Sequence, residues 1–318
     1  MTGSSRGDAS RPDDAMPADI SASIRTSLRR QARARNEDMQ YILSRYALER
    51  LLYRLGRSQH AEKFVVKGAL LFLLWHDRPH RQTRDLDLLA FGPPSADHIR
   101  QVFEDLCSLP VQEQDGLTFQ SETMKVAGIR EMQEYGGLRV TLMCRLGETR
   151  IHIQVDIGFG DVVTPRASFS DFPSLIGLPR PRVRVYPPET VVAEKYEALV
   201  RLGAINSRMK DFYDLWALAS ERSFSGDVLA QAIQATFERR GSALPAETPY
   251  ALTDAFTSDP VKLQLWQAFI GRTQLDSATL NLADTVELIR AFLTPPTQAL
   301  LTQRPFQQLW VPGGPWRS

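Results

Sequence analysis

Two aspartates one residue apart, in Thr83-Arg84-Asp85-Leu86-Asp87-Leu88-Leu89-Ala90, constrain this chain more than any other stretch. A β-strand turns successive side chains to opposite faces, so Asp85 and Asp87 point one way while Leu86, Leu88 and Ala90 point into a core. Two carboxylates this close in a partly desolvated cleft repel each other by several kcal/mol at an effective dielectric of about 20, so they share a proton or a cation. Hard oxygen donors suit Mg²⁺, and Mg²⁺ suits the phosphates of a nucleotide. Asp-x-Asp alone is more often an ordinary solvated strand end, and the surrounding pattern has to decide.

Upstream, Lys63 to Trp75 reads as a short buried strand, a turn at Gly68 and an apolar helix. Gly68 lets backbone amides approach a phosphate, and a helix N-terminus there adds partial positive charge. Lys67 and Ala69 flank that turn, making Lys67, Gly68 and Ala69 candidate NTP contacts. Thr83 shares the strand face with Asp85, and its hydroxyl either bonds backbone or touches a phosphate. His76 and His80 are four apart in a polar link, but Pro79 between them argues against a metal-binding helix.

Arg139 to Leu146 and Thr149 to Ile157 alternate like two strands joined at Gly147-Glu148. Ile151, Ile153, Val155 and Ile157 form one face of the second strand, with His152, Gln154 and Asp156 on the other. Asp156 is therefore a third carboxylate near a strand end. Farther on, Pro187-Pro188-Glu189-Thr190 starts a helix that stops at Gly203, with Lys195 at its packing seam. The next helix carries Asp211 and Asp214 three apart on one face, above an apolar stripe of Phe212, Leu215, Trp216 and Ala219. Lys210 and Asp214 are spaced for an i,i+4 pair.

Three carboxylates, a glycine turn and short strands in this order resemble the nucleotidyltransferase superfamily, related in fold to DNA polymerase β. More specifically, Lys67-Gly68-Ala69-Leu70, Thr83-Arg84-Asp85-Leu86-Asp87, Val155-Asp156-Ile157, Glu194-Lys195-Tyr196-Glu197-Ala198-Leu199 and Arg208-Met209-Lys210-Asp211-Phe212-Tyr213-Asp214-Leu215 resemble the successive motifs of the AbiEii/AbiGii toxin family, over roughly residues 45 to 220. One departure is Gly68-Ala69, where that family often has Gly-Gly or Gly-Ser.

The resemblance implies an α+β fold: a polymerase β-like mixed sheet flanked by helices, followed by a helical C-terminal domain. It implies a type IV toxin that transfers NMP from an NTP to an RNA acceptor, the 3′ end of tRNA being the expected target, with Mg²⁺ or Mn²⁺ as cofactor and a cognate antitoxin as partner. Asp85, Asp87 and Asp156 would ligate metal, Asp156 also helping to deprotonate the acceptor. Lys195 would bind the triphosphate, and Asp211 would orient Lys195 or bind the nucleotide. Asp85, Asp87, Asp156, Lys195 and Asp211 are thus the expected catalytic set.

Composition bounds the rest. The chain has 318 residues, 43% of them apolar, and a net charge of +1, too small to show a nucleic-acid partner. Local charge is more suggestive: Arg182, Arg184, Arg201, Arg208 and Lys210 cluster around the two helices and are the expected RNA-binding side chains, through phosphate contacts without sequence readout. Cys107 and Cys144 are the two cysteines, which excludes a disulfide framework or Cys-rich zinc site. With no apolar run of membrane length and no signal-peptide core, a cytoplasmic monomer is expected. Residues 1 to 23 read as a disordered basic tail, 24 to 185 as the nucleotidyltransferase core with N-terminal helices over Ile24 to Leu55, and 186 to 318 as a helical domain broken near Pro245, Pro249, Pro260 and Pro295-Pro296 and ending in an irregular tail from Trp310. Two other readings stay open: a nucleotidyltransferase for a small hydroxylated molecule or a protein, and a nucleotide-binding module without turnover. An acidic lining of the cleft would favour a cationic small molecule.

Overall fold

The computed structural model describes residues 17–75, 81–129, 136–273 and 280–318. The link His76–His80 lies outside them, as do residues 1–16 of the expected tail. Helix α1 (Pro17–Arg35) already begins inside that tail, because Ile20 extends the apolar repeat of Ile24 and Leu28 by one turn. The helices expected over Ile24 to Leu55 are α1 and a second one. The chain turns at Asn36, whose φ is +52°, and Asp38 caps α2 (Met39–Arg57) by accepting from the amide of Tyr41.

Strand β1 (Phe64–Lys67) runs into a 3₁₀ turn (Gly68–Leu71) and the short α3 (Phe72–Trp75). Strand β2 (Asp85–Ala90), α4 (Ala96–Ser108), β3 (Leu117–Ile129), β4 (Gly137–Leu146) and β5 (Thr149–Phe159) follow, then β6 (Ser168–Asp171) and β7 (Arg182–Val185). Together they form a seven-stranded mixed sheet in the order β3-β4-β5-β2-β1-β7-β6. The β4–β5 hairpin turns at Gly147, φ +59°, with Leu146 opposite Thr149. Strand β2 lies between β1, to which it is antiparallel, and β5, to which it is parallel. Its Leu86 and Leu88 are buried while Asp85 and Asp87 stay half-buried, the alternation expected of one covered face.

The second half is built from α5 (Pro188–Leu202), α6 (Met209–Glu221), β8 (Phe224–Ser225), α7 (Gly226–Arg239), α8 (Asp254–Ser258), α9 (Pro260–Arg272) and α10 (Leu282–Leu301), closed by β9 (Leu309–Trp310) and β10 (Trp316–Arg317). Pro188 opens α5 at its first turn, and Gly203, at φ +47°, ends it. Two expectations fail here. Helix α10 runs through Pro295-Pro296 instead of breaking. Pro296 cannot donate to the carbonyl of Phe292, and the indole N–H of Trp316 donates to it instead, at 3.0 Å. The tail is not irregular either: β8, β9 and β10 make a small sheet, pinned by Trp310, whose indole donates to the carbonyl of Ala219 at 2.7 Å. Buried side chains from Ile24 to Trp310 form one continuous cluster, so the helical half packs on the sheet through a shared core.

Candidate active site

The register of four adjacent strands sets Lys67 of β1 opposite Asp87 of β2, Asp87 opposite Asp156 of β5, and Asp156 opposite Arg139 of β4. Paired residues point to the same face, so a row of cation, acid, acid, cation crosses the sheet at about 4.8 Å per step. Arg139 engages Asp156 with Nε and Nη2, each 2.7 Å from a carboxylate oxygen. Among the described residues, the carboxylates of Asp85 and Asp87 have neither a hydrogen bond nor an ion pair. Burial, with the Asp156 carboxylate adding to it and Lys67 opposing, pushes Asp87 up to about 6. Burial and Asp156 push Asp85 up as well.

Gly68 lies against the same carboxylate. Its φ is +74°, and a Cβ there would stand 2.0 Å from Oδ2 of Asp87. The glycine is thus required by a neighbouring side chain as well as by its backbone conformation. The helix expected to follow is only four residues of α-helix after a 3₁₀ turn, too short to aim a summed dipole at an anion.

The facing wall is helical. Lys195 of α5 donates to Oδ1 of Asp211 at 2.7 Å and lies 2.8 Å from Oδ2 of Asp214, both on α6. Arg208 takes the other oxygen of Asp211 at 2.6 Å, and Arg81 forks onto Asp214 with two bonds of 2.9 Å. Burial alone would raise both acids, but Lys195 and the guanidiniums outweigh it and hold them below the usual carboxylate range. The expected pair of Lys210 with Asp214 does not form, because Asp214 is already taken by Lys195 and Arg81. Asp211 does orient Lys195.

On the third side, Lys67 donates to Asp161 at 2.7 Å and Glu194 at 3.1 Å, and Arg240 joins Asp161 and Glu197. The ammonium of Lys67 is therefore engaged with acids, while its chain and those of Gly68 and Ala69 still line the cleft. Thr83 lines it too, its hydroxyl donating weakly to the carbonyl of Asp85 at 3.4 Å, the backbone option of the two read from the sequence. Asp85, Asp87, Asp156, Lys195 and Asp211 all border one cleft of about 630 Å³.

The sequence model of one family, described as "Nucleotidyl transferase AbiEii toxin, Type IV TA system", matches residues 50–294. The chain belongs to that family. It is a nucleotidyltransferase toxin of a type IV toxin–antitoxin system, which implies an antitoxin as partner. Two solved structures resemble it: a candidate nucleotidyltransferase from H. pylori, at 14% identity, TM-score 0.48, over 84% of this chain and 99% of that one, and JHP933 from Helicobacter pylori, at 14% identity, TM-score 0.47, over 84% and 95%. No curated protein matches.

Nucleotidyltransferases generally use an NTP and a divalent metal ion. Among the described residues, no group of three or more His, Cys, Asp or Glu side chains is gathered closely enough to hold a metal ion. Two of the three expected ligands nonetheless suit one: Asp85 and Asp87 are unpartnered, mutually repulsive hard-oxygen donors. Asp156 stands in register beside them but is engaged by Arg139.

Of the five side chains expected to meet RNA, Arg201, Arg208 and Lys210 line the cleft and Arg182 and Arg184 do not. Strand β7 runs parallel to β1 with Val185 beside Val66, so it reaches the cleft at Tyr186 and leaves Arg182 and Arg184 toward the other end of the sheet. There Arg184 donates to the carbonyl of Glu62 and covers the ring of Phe91. The sequence reading missed Arg81, Arg139, Asp161 and Arg240 as cleft residues. Hairpin counting from Gly147-Glu148 finds Arg139 opposite Asp156.

Proposed function

We propose that this toxin transfers a nucleotide from an NTP to RNA, with the 3′ end of a tRNA as acceptor and Mg²⁺ as cofactor. The observation that carries this reading is the pair of unpartnered acids, Asp85 and Asp87, set in one cleft opposite the lysine wall of α5 and α6. Asp85 and Asp87, joined by Asp156, would hold the metal ion. When bound, it supplies positive charge to the phosphates and to departing pyrophosphate.

The protein's own groups do the remaining work. Lys195, kept charged by Asp211 and Asp214, presents its ammonium toward the triphosphate and balances charge as pyrophosphate leaves. The acceptor hydroxyl attacks the α-phosphorus, the bond from that phosphorus to the pyrophosphate oxygen breaks, and the carboxylate of Asp156 takes the hydroxyl proton. Gly68 keeps Asp87 in place by leaving room for it. Arg201 and Arg208 supply phosphate contacts to the acceptor.

An RNA acceptor is supported by charge. The cleft is lined by nine cationic and seven acidic side chains, a small excess that suits a polyanion. A tRNA whose terminal hydroxyl carries extra nucleotides cannot be aminoacylated there, so translation stops. Such a reaction belongs in the cytoplasm, where NTPs and tRNA meet; no helix among the described residues is long and apolar enough to cross a membrane. The test is incubation of the purified protein with total RNA, Mg²⁺ and each labelled NTP in turn. Label in a tRNA-sized band with at least one NTP is expected. Absence of labelled RNA with all four would refute the reading.

A further inference from the structure

Lys210 differs from the other lysines of the cleft in having nothing to hold. Lys67 is shared by Asp161 and Glu194, and Lys195 by Asp211 and Asp214. Both aspartates of α6 are fully used, Asp211 by Lys195 and Arg208, Asp214 by Lys195 and Arg81. Position 210 precedes Asp211 on the helix, so its side chain leaves about 100° around the axis from that cluster and enters the cleft on its own. Among the described residues the ammonium of Lys210 makes no hydrogen bond or ion pair.

Its surroundings are cationic. Lys210 is exposed at the cleft, and partial desolvation there, opposed by Asp211 and reinforced by Lys195, Arg81 and Arg208, lowers its pKa. Across the cleft its charge favours the ionised forms of both Asp85 and Asp87. The nearest acids on its own helix, Asp211 and Asp214, are already bonded to Lys195, Arg208 and Arg81, so this cation, facing the two acids that would carry a metal ion, is free to take a further anion. The anion that fits between them is the one those acids also serve through the metal ion.

We infer that Lys210 grips the triphosphate of the incoming nucleotide, and is a nucleotide-binding residue instead of the RNA contact its sequence position suggests. The inference rests on the reading of this cleft as the transferase site and names the substrate that this lysine serves. Lys210 contacts the phosphates independently of Lys195, whose two acid partners fix it in place.

The test uses full-length protein and a non-hydrolysable α,β-methylene NTP, titrated calorimetrically with and without Mg²⁺, beside a separate titration with tRNA in the absence of nucleotide. Lys210→Met is expected to weaken nucleotide analogue binding at least tenfold, Lys210→Arg to restore it to within about threefold, and tRNA binding to stay within about twofold for both. An unchanged melting temperature confirms that the exposed substitution leaves the fold intact. Equal analogue binding by wild type and Lys210→Met, or a loss confined to tRNA binding, overturns the inference while leaving the transferase reading standing. A wild-type protein that binds no analogue of any NTP removes that reading and this inference with it.

Discussion

Arg139 and Asp156 face each other across the β4–β5 hairpin and are joined by two 2.7 Å bonds, so the acid that would complete the metal site is held by a guanidinium. The fork is half-exposed and competes with any cation for the same oxygens. Arg139→Gln is therefore expected to lower the Mg²⁺ concentration for half-maximal transfer by about three- to fivefold, matching the ~1 kcal/mol upper range of an exposed pair. Activity measured across a Mg²⁺ titration checks this. A higher Mg²⁺ requirement in the variant would mean that Arg139 supports the site instead of competing for it.

Gly68 and Asp87 give a second prediction. Alanine at 68 would place its Cβ 2.0 Å from Oδ2 of Asp87 in a backbone of φ +74°, at a conformational cost of about 1–2 kcal/mol before the clash is relieved. Gly68→Ala should keep the fold but reduce transfer by at least a hundredfold, because Asp87 must move. Circular dichroism together with the labelling assay separates the two effects; near-normal transfer would show that the position of Asp87 is not critical.

Arg81 and Asp214 give a third. Asp214 is 1% exposed and Arg81 14%. Arg81→Gln leaves a buried carboxylate with Lys195 alone, and the protein should lose on the order of 3 kcal/mol of stability. Denaturant unfolding measures it. A loss below about 1 kcal/mol would show that Lys195 compensates fully.

The same cluster predicts a pH dependence. The folded-state pKa of Asp214 is depressed, so its contribution is fully present above the unfolded carboxylate range near 3.8 and disappears as pH falls through the folded value. Lys195 is raised, Asp211 and Asp214 outweighing burial, so its contribution holds below about 10.5 and is lost as pH rises through the folded value. Between those limits the melting temperature of Asp214→Asn should lie well below wild type, and the gap should narrow below pH 4. Taking the difference removes Asp87, whose raised pKa makes its own contribution fall as pH rises from about 4 to 6. A gap that widens in acid would contradict the assignment.

Much of this arrangement is legible where the sequence is periodic. The alternation of β2 and β5 gives the facing of Asp85, Asp87 and Asp156, and the helical spacing of α5 and α6 brings Lys195 to Asp211 and Asp214. Arg139 was legible too: it lies seven residues before Leu146 and Asp156 seven after Thr149, the two residues paired at the turn. Arg81 was not, since it stands in a loop and its partner is 133 residues away, with no period linking them. The misreading of Arg182 and Arg184 came from treating nearness in sequence to α5 as nearness to the cleft, when a strand can carry side chains to the far end of the sheet. The double proline of α10 was misread because a tertiary donor, Trp316, satisfies the carbonyl that local rules leave open.

The central claim is that Asp85 and Asp87 hold the cation on which nucleotide transfer depends. Single-turnover transfer of labelled NMP to RNA, measured for wild type, Asp85→Asn and Asp87→Asn at saturating Mg²⁺ and neutral pH, tests it most directly. Both variants are expected to melt no lower than wild type without metal, since each substitution removes a repelled carboxylate, and to transfer at least a thousandfold more slowly. Transfer at the wild-type rate by either folded variant would contradict the account.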